Sequence, residues 1–597
     1  MGGMASSTVE PSRRHLGDWV IHVPQTLRTL VRANEFWLAV LAAVVGCLAG
    51  AGVVLINLIT GLMHVRLFHL PPGEGLSAST HLPALRAFLV PTLGGLVLGV
   101  FGLALSRFRP NNLIDAIEAN ALYGGRMSLN DSIIVAAQTA WSNGVGASVG
   151  MEAGYAQLGA GIASRLGRSF RLRRNDLRVL VGCGAAAAIG GAFNAPLCGA
   201  FYGIELIIGV YTIATLPFVV VASLMGTLTV QLLSGGTPPL NVSLPVTVPN
   251  DEYPLVLILG FLSGLAGIAI MRGVTLIEAG FRYSMIPFWL RPVFGGVIVG
   301  ALGCIDPAAM SSGHSALHTD INLTYPFLVV LTMLILKAVA SAFSIGTGFR
   351  GGLFFASLFL GALFGKVFAG ILSILPFVTP MPPGLYAVVG MSALAVAIVG
   401  GPMTMTFLTL ESTENFAVTM AVLAASIAAA LTVRRLFGYS FATWRFHLRG
   451  ESIRSAVDIG WINNLTVGRM MSRAQETARE DMTLEAFRQE FPLGSTQFVI
   501  ANNADGRYAG IAYVAEAFTV TDPDARVANI LHHGEHYLLP NMTVKEAIAA
   551  FESGEADALP VLDGRDTRRV VGVLTEQYAL RRYNEELERR RRELSGE

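Results

Sequence analysis

With 597 residues, of which 53% are hydrophobic and 14% charged, this chain is far more apolar than a soluble globular protein. Its mean hydropathy of +0.56 is typical of an α-helical polytopic membrane protein, whose first partner is the lipid bilayer. A net charge of +1 gives no electrostatic reason to expect nucleic acid as a partner.

Apolar runs that approach or exceed the span of a bilayer recur from residue 36 onward. They cover residues 36–65, 87–106, 179–208, 212–233, 255–271, 327–342, 351–375, 385–399 and 416–433. The chain start lacks the apolar core and cleavage site of a secretory signal, so the first span is expected to be retained. Arginines are concentrated before that span, in the loop at 165–178 and after Arg445. This distribution predicts a multi-pass protein of the cell (inner) membrane with both termini in the cytoplasm.

Glu152 stands in a glycine-rich stretch, residues 144–166, that carries no other charge before Arg165. Irregular backbone at membrane depth is tolerated only where it lines a protein-walled or watery cavity, so this stretch predicts a broken helix that resumes near Gly150. The first turn of a helix presents unpaired N–H groups and the positive end of a dipole, which together bind anions. Glu152 is therefore predicted to be a built-in anion that leaves the site when it is protonated or displaced. A helix-capping or interhelix-paired glutamate is the alternative interpretation.

Two halves of the chain, about residues 36–235 and 254–440, repeat the same ordered pair of motifs. The matching positions are Pro196 and Pro402, Glu205 and Glu411, and the glycine-rich segments that begin at Gly150 and Ser344. Repeated halves with broken helices predict a transport fold in which helix starts converge near the bilayer midplane. Small residues that merely let helices pack closely would explain the glycines and alanines, but not the repeated order.

Beyond Arg445 the composition becomes that of a soluble protein. Amphipathic helices at 481–491 and 541–551 are each followed by strand-like segments, which predicts two αββ repeats and then a charged terminal helix. The predicted domains are a cytoplasmic segment at 1–35, a transmembrane domain at 36–445 and a cytoplasmic domain at 446–597.

Three motifs resemble those of the CLC family of chloride channels and anion/proton exchangers. They are GGAFNAPLCGAFYGIE from Gly190, similar to the family's AAFNAPLAG; GTGFRGGLFFA from Gly346, similar to GSGxxGGxFAP; and GMEAG from Gly150, where the family has GREGP. The resemblance covers about residues 36–445. Most of residues 466–585 resembles a pair of cystathionine-β-synthase-type (CBS) repeats.

The resemblance implies a fold of two inverted repeats, a homodimer and one anion pathway in each subunit. It places Glu152 on the family's gating glutamate. It also implies a set of anion-binding positions, which are Asn111, Gly150, Met151, Gly352, Leu353, Phe354 and Tyr439. The expected function is transport of chloride or another monovalent anion, with no metal and no cofactor.

Departures from the family pattern bear on coupling and selectivity. Asn111 stands where a serine commonly coordinates the anion, and Met151 replaces an arginine beside the gate. Leu206 occupies the position of the exchangers' inner glutamate, and leucine cannot relay a proton. The family's tyrosine falls on Tyr439 or, in another register, on Phe441. We therefore expect a channel-like or weakly proton-coupled pathway. The alternatives are a chloride/proton antiporter with a non-standard proton route, or selectivity for fluoride or nitrate.

Other classes of protein fit the sequence less well. A magnesium transporter can carry CBS repeats, but its carboxylates would be clustered as hard-cation ligands, and here they are dispersed among motifs. An enzyme would need a paired nucleophile and base, and no such pair is evident in the sequence. The repeated broken helices argue against a membrane-bound nucleotide sensor whose apolar part serves only as an anchor. An adenine nucleotide is a candidate ligand of the CBS pair, although Tyr578 stands where that family usually has a ribose-binding carboxylate after Thr575.

Overall fold

The structure is a computed structural model that describes residues 35–79, 82–108, 113–235, 244–376, 381–448, 465–473, 476–522 and 524–595. The chain divides into two compact units, residues 1–458 and 459–597. The first unit is helical, and the second combines helices with two small sheets. Apart from Glu35, the predicted N-terminal segment 1–35 lies outside the described residues.

Eight helical stretches among the described residues are long and apolar enough to cross a membrane. They are Glu35–Phe68, Ala84–Arg107, Arg174–Phe193, Leu216–Ser234, Asn250–Tyr283, Phe327–Thr347, Phe354–Leu372 and Phe416–Arg445. The predicted polytopic helical architecture is thus confirmed. The run predicted at 385–399 instead forms a shorter buried helix.

Among its described residues, the first half contains eight α-helices. In chain order they are α1 Glu35–Met63, α2 Ala84–Phe108, α3 Ala116–Leu122, α4 Leu129–Gly144, α5 Glu152–Ser169, α6 Arg174–Phe193, α7 Pro196–Tyr202 and α8 Leu216–Ser234. Short π-helical turns follow α1 at His64–Phe68 and α7 at Gly203–Ile208.

The single apolar run predicted at 179–208 is divided between α6 and α7. Asn194 ends α6 in the left-handed region, with φ of 55°, and Pro196 occupies the first turn of α7. Asparagine tolerates this conformation, and proline is favoured at a helix start, where it needs no N–H partner. The break therefore has local causes that hydropathy does not register.

Among its described residues, the second half repeats this layout with nine helices. They are α9 Tyr253–Tyr283, α10 Arg291–Ile305, α11 His314–Asp320, α12 Phe327–Thr347, α13 Phe354–Leu372, α14 Pro383–Val399, α15 Pro402–Thr413, α16 Phe416–Leu436 and α17 Phe441–Leu448. Helix α5 begins two residues after Gly150, and α13 begins two residues after Gly352.

The repeat extends to the helix packing. Gly159 of α5 faces Gly184 of α6, and a side chain on either would strike the other's carbonyl oxygen. Gly361 of α13 and Gly390 of α14 face each other in the same way. Close backbone approach at small residues is the usual basis of helix association in membranes, and it holds both resumed helices in the buried centre of the unit.

The second unit contains the two predicted αββ repeats. Its elements are α18 Val467–Met470, β1 Thr477–Arg479, α19 Leu484–Glu490, β2 Phe498–Asn502, β3 Tyr508–Tyr513, α20 Val514–Ala517, β4 Leu531–His532, α21 Val544–Gly554, β5 Ala558–Leu562, β6 Val570–Thr575 and α22 Glu576–Ser595. One sheet has the order β1-β2-β3-β4, with β1 parallel to β2 and the other neighbours antiparallel, and β5 pairs with β6 antiparallel. Thr483 and Thr543 occupy the same N-cap position in the two repeats.

Candidate functional site

The two glycine-rich breaks meet in the first unit. The N–H of Gly150 donates to the carbonyl of Gly352 at 2.9 Å, and the N–H of Gly352 donates to the carbonyl of Gly150 at 3.0 Å. This pair is an antiparallel bridge between the segments that precede α5 and α13. Two segments related by inversion would run antiparallel where they meet. The bridge brings the starts of two half-helices to one place, as expected for an ion-binding site in a transport fold.

Glu152 is the first residue of α5, and its side chain lies at the start of α13. It is only 4% exposed. Its Oε1 accepts a hydrogen bond of 2.6 Å from the N–H of Phe354, and its Oε2 has no hydrogen-bond partner among the described residues. The carboxylate thus occupies the positive end of a helix, where an anion is stabilised.

The bridging glycines make room for this carboxylate. A Cβ on Gly150 would overlap Oε2 of Glu152, and a Cβ on Gly352 would overlap Oε1. Neither glycine has a positive φ, so steric space, and not backbone conformation, requires glycine at these two positions.

A cavity of about 390 Å³ extends from Glu152 along the protein interior. Three helix starts contribute to its wall: Asp115 before α3, Leu353 before α13 and Ser440 before α17. Further lining residues are Tyr202, Glu205, Leu206, Arg350, Gly351, Gly352, Phe354 and Arg445. Helix starts that converge on a cavity beside a buried carboxylate form a site suited to a small anion.

A family model described as voltage gated chloride channel matches residues 94–434, which is more than half of the chain. The chain belongs to this family, the CLC family. A CBS domain model matches residues 527–585, the second αββ repeat.

Curated relatives named as chloride channels also match this chain. A ClcB-like chloride channel protein of Ralstonia nicotianae is 32% identical over 366 residues, which are 60% of this chain and 85% of the relative. The voltage-gated ClC-type chloride channel ClcB of Escherichia coli K12 is 27% identical over 406 residues, 66% of this chain and 95% of the relative.

Three solved structures share the fold. A slow cyanobacterial Cl⁻/H⁺ antiporter aligns with a TM-score of 0.60 and 22% identity over 69% of this chain and 97% of its own. A eukaryotic CLC transporter aligns with a TM-score of 0.59 and 18% identity over 92% of this chain and 98% of its own. A CLC-type fluoride/proton antiporter aligns with a TM-score of 0.54 and 21% identity over 66% of this chain and 94% of its own. At these identities the similarity establishes the CLC fold alone.

The structure places the predicted CLC site residues in two groups. Gly352, Leu353 and Phe354 line the cavity together with Glu152 and Leu206. Gly150 and Met151 are not among the described lining residues; the sulfur of Met151 accepts long hydrogen bonds from Thr60 and Tyr155, at 3.5 and 3.4 Å. Of the predicted anion-binding positions, those that line the described cavity therefore come from the second half of the chain.

Asn111 and Tyr439 are the two remaining predicted anion-binding positions. Asn111 lies outside the described residues, although Leu113, two residues further on, lines the cavity. The ring of Tyr439 packs against Phe437 and Trp444, with centroids 6.3 and 5.5 Å apart. Among the described residues, it is Ser440 rather than Tyr439 that reaches the cavity wall, because the chain turns there into α17.

Glu205 and Glu411, the repeated glutamates, cap each other's helix. Glu205 accepts hydrogen bonds from the N–H groups of Met403 and Thr404, at 3.1 and 2.9 Å, and from the Thr404 hydroxyl at 2.6 Å, at the start of α15. Glu411 accepts from two N–H groups at the start of α7, at 2.8 and 2.9 Å. A glutamate held on three donors is a fixed cap, although Glu205 also lines the cavity.

Several cavity residues were missed by sequence reasoning. Asp115, Gln157, Tyr202, Arg350 and Arg445 all line it. Asp115 had a usable signal, because an aspartate before an apolar helix is a favoured N-cap, and its Oδ1 accepts from the N–H of Ile117 at 2.8 Å. The others gave no local signal, since their positions depend on how the helices pack.

Proposed function

We propose that this CLC protein transports chloride across the membrane through the cavity beside Glu152, and that the Glu152 carboxylate gates the pathway. One contact carries the proposal: Oε1 of Glu152 accepts from the Phe354 N–H at the start of α13. A chloride ion would seek the same donor, so the carboxylate and the anion compete for it. Protonation at the unpartnered Oε2 or displacement by chloride frees the donor and opens the pathway.

We further propose that proton coupling is weak or absent, which makes the pathway channel-like. Leu206 lines the cavity at the position of the exchangers' inner glutamate, and its side chain has no group that takes a proton. Glu205, which could offer another route, is held as a helix cap on α15. The alternatives are an antiporter with a non-standard proton route and a preference for fluoride or nitrate. Two of the similar structures are a Cl⁻/H⁺ antiporter and a fluoride/proton antiporter, which is the reason to test both alternatives.

The test is electrode-detected chloride efflux from liposomes that contain purified protein, with and without a proton gradient. We expect efflux that rises as external pH falls in the wild type and that is nearly independent of pH in Glu152→Gln, which resembles the protonated gate. A matched control is Glu252→Gln, a buried carboxylate that accepts from the Tyr386 hydroxyl at 2.7 Å and does not line the cavity. A wild-type pH response in Glu152→Gln would contradict the gate.

We propose a homodimer in the cell (inner) membrane with both termini cytoplasmic, in line with the basic segments and the CLC fold.

The CBS pair is proposed to modulate the pathway. Deletion of residues 466–597 should leave a conducting membrane unit with altered activation, and loss of all flux in a folded truncation would contradict this. Adenine nucleotide remains a candidate ligand of the CBS pair, tested by titration of the full chain with ATP. At Tyr578, where that family usually has a ribose-binding carboxylate, the ring centroid lies 5.2 Å from the guanidinium carbon of Arg581.

A further inference from the structure

Lys337 is a charged side chain in the middle of α12, a helix long and apolar enough to cross a membrane. It is completely buried. Among the described residues, its Nζ donates only to main-chain carbonyl oxygens, those of Ala309, Met310 and Ser311, at 3.4, 3.2 and 2.8 Å. An ionisable side chain at membrane depth is costly and usually marks a functional site, so Lys337 is a candidate for a functional role.

The turn that Lys337 holds, residues 309–311, contacts the glycine-rich break before α5. Ser311 has a φ of 52°, in the left-handed region that serine adopts only at a cost, so this turn needs contacts that fix it. The Ser311 N–H donates to the carbonyl of Gly146 at 3.0 Å, and the Ser311 hydroxyl donates to Oδ1 of Asn143 at 3.1 Å. The lysine therefore fixes a turn that itself holds the start of the break.

Asn143 extends this contact to the residue next to Gly150. It is 1% exposed, and its Nδ2 donates to the carbonyl of Val149 at 2.8 Å. Gly150 then forms the bridge between the two breaks, and Glu152 begins α5 two residues later. A continuous chain of hydrogen bonds thus joins the ammonium of Lys337 to the segment that presents Glu152.

Two serines on the same face of α12 hold the middle of this break. The hydroxyls of Ser341 and Ser148 are 2.9 Å apart, and the N–H of Ser148 donates to the hydroxyl of Ser344 at 2.9 Å. Residues four and seven positions after Lys337 lie on its face of the helix. One face of α12, in the second half, therefore fixes the break of the first half.

The opposite contact exists, but it has no charged member. Ser142 of α4 accepts from the N–H of Arg350, so the first half likewise holds the break of the second half. Lys337 stands 15 residues before the bridging glycine of its half, and the residue 15 positions before Gly150 is Val135. The lysine is thus particular to the side of the repeat that acts on the break before Glu152.

We propose that Lys337 is a positioning residue for the proposed gate: its ammonium fixes the turn 309–311 and thereby keeps Glu152 placed to accept from the Phe354 N–H. The proposal rests on the proposed function. An ammonium has three donors for several carbonyls, and at membrane depth no bulk water replaces them when they are lost. Only the closed state needs this placement, because a protonated or displaced carboxylate has left the Phe354 donor. Loss of Lys337 should therefore weaken closure and leave the open pathway intact.

The experiment measures electrode-detected chloride efflux from liposomes at acidic and alkaline external pH. It compares full-length Lys337→Met and Ser311→Ala, each alone and combined with Glu152→Gln. The matched control is Lys366→Met, a lysine that also donates to two main-chain carbonyls but is not among the described lining residues of the cavity beside Glu152. Thermal unfolding and elution profiles check the folding of each variant. Ser311→Ala, which removes only a hydroxyl, carries the test if Lys337→Met does not fold.

The charged and titratable surroundings of both residues stay unchanged in these variants. Near Lys337, Asp306 uses Oδ1 to accept from the N–H of Ala308 at 2.9 Å. The described groups near Glu152 are Tyr155 on α5 and the cavity residues Asp115, Tyr202, Glu205, Arg350 and Arg445. A changed pH response therefore reports on the placement of Glu152.

In Lys337→Met we expect efflux at alkaline pH to rise about 3–10-fold toward that of Glu152→Gln, with little change at acidic pH, since about one hydrogen bond of closure is lost. Ser311→Ala should change efflux in the same direction by about 2–4-fold. In the Glu152→Gln background neither substitution should change efflux further, and Lys366→Met should match the wild type.

A wild-type pH response in folded Lys337→Met would overturn the proposal, and Ser311→Ala decides in the same way if the lysine variant does not fold. An equal rise in the Glu152→Gln background would also overturn it, because the lysine would then act on the pathway and not on the gate. A wild type whose chloride efflux is absent or independent of pH would instead refute the proposed function.

Discussion

The competition between Glu152 and chloride gives a quantitative prediction. A hydrogen bond to a charged group is worth about 1.5–3 kcal/mol and a neutral one about 0.5–1.5 kcal/mol. Glu152→Gln keeps the shape but weakens the bond at the Phe354 N–H, now 2.6 Å long, by about 1–1.5 kcal/mol. Chloride should then bind about 5–12-fold more tightly. Glu152→Ala removes the competitor, so the increase should reach about 10–150-fold.

Isothermal titration of purified protein with chloride measures this series directly, without a transport assay. The expected order of affinity is alanine above glutamine above wild type, with Glu252→Gln equal to the wild type. Because the effect comes from one tethered anion, its size should fall as pH is lowered and the wild-type carboxylate becomes protonated. Equal chloride affinities in the three proteins at neutral pH would show that Glu152 and chloride do not share the Phe354 donor, and the gate would have to be sought elsewhere.

Three further predictions follow from the same geometry. Leu206→Glu places a proton-accepting group on the cavity wall, so the reversal potential in opposing chloride and pH gradients should gain a pH-dependent shift that the wild type lacks; no shift would mean that the position is not on a proton route. Glu411→Ala leaves two helix-start N–H groups of α7 unpaired, which should cost about 2–4 kcal/mol of stability in thermal unfolding. Glu278→Ala, at a partly exposed glutamate paired with Arg282, should cost less than about 1 kcal/mol. Asn111→Ser should shift the chloride-to-nitrate ratio without abolishing transport, because a hydroxyl can donate where the amide did. Asn111→Leu should weaken chloride binding by about 1.5–3 kcal/mol, the worth of one hydrogen bond to a charged group. An unchanged affinity series in both variants would show that Asn111 is not part of the site.

The sequence alone determined the class of molecule, and it led to Glu152 as the proposed gate. Hydropathy over bilayer-length runs is a local property, and it predicted the spans that the structure contains. A lone carboxylate among glycines in such a run is also local information, which is why Glu152 could be selected. The repeated order of Pro196 with Glu205 and Pro402 with Glu411 likewise predicted two related halves.

Tertiary structure decided which groups meet. The partner of Glu152 is an N–H 202 residues away, and the partners of Glu205 lie almost as far along the chain. No periodicity encodes such contacts, because they arise when two halves pack against each other. The sequence interpretation that Glu205 and Glu411 repeat one another was thus sound, but only the packed helices show that Glu205 caps α15 and Glu411 caps α7.

Arg350 illustrates the remaining limit. In the sequence it is one arginine beside a glycine-rich motif, with no pattern that separates a solvated side chain from a functional one. In the structure it lies on the wall between two cavities, one of which contains Glu152. A cavity is the space left between several helices, so its lining depends on all of their packing contacts at once. Composition and motif spacing predicted an anion site, and the packing of the two halves decided which side chains line the cavity beside Glu152.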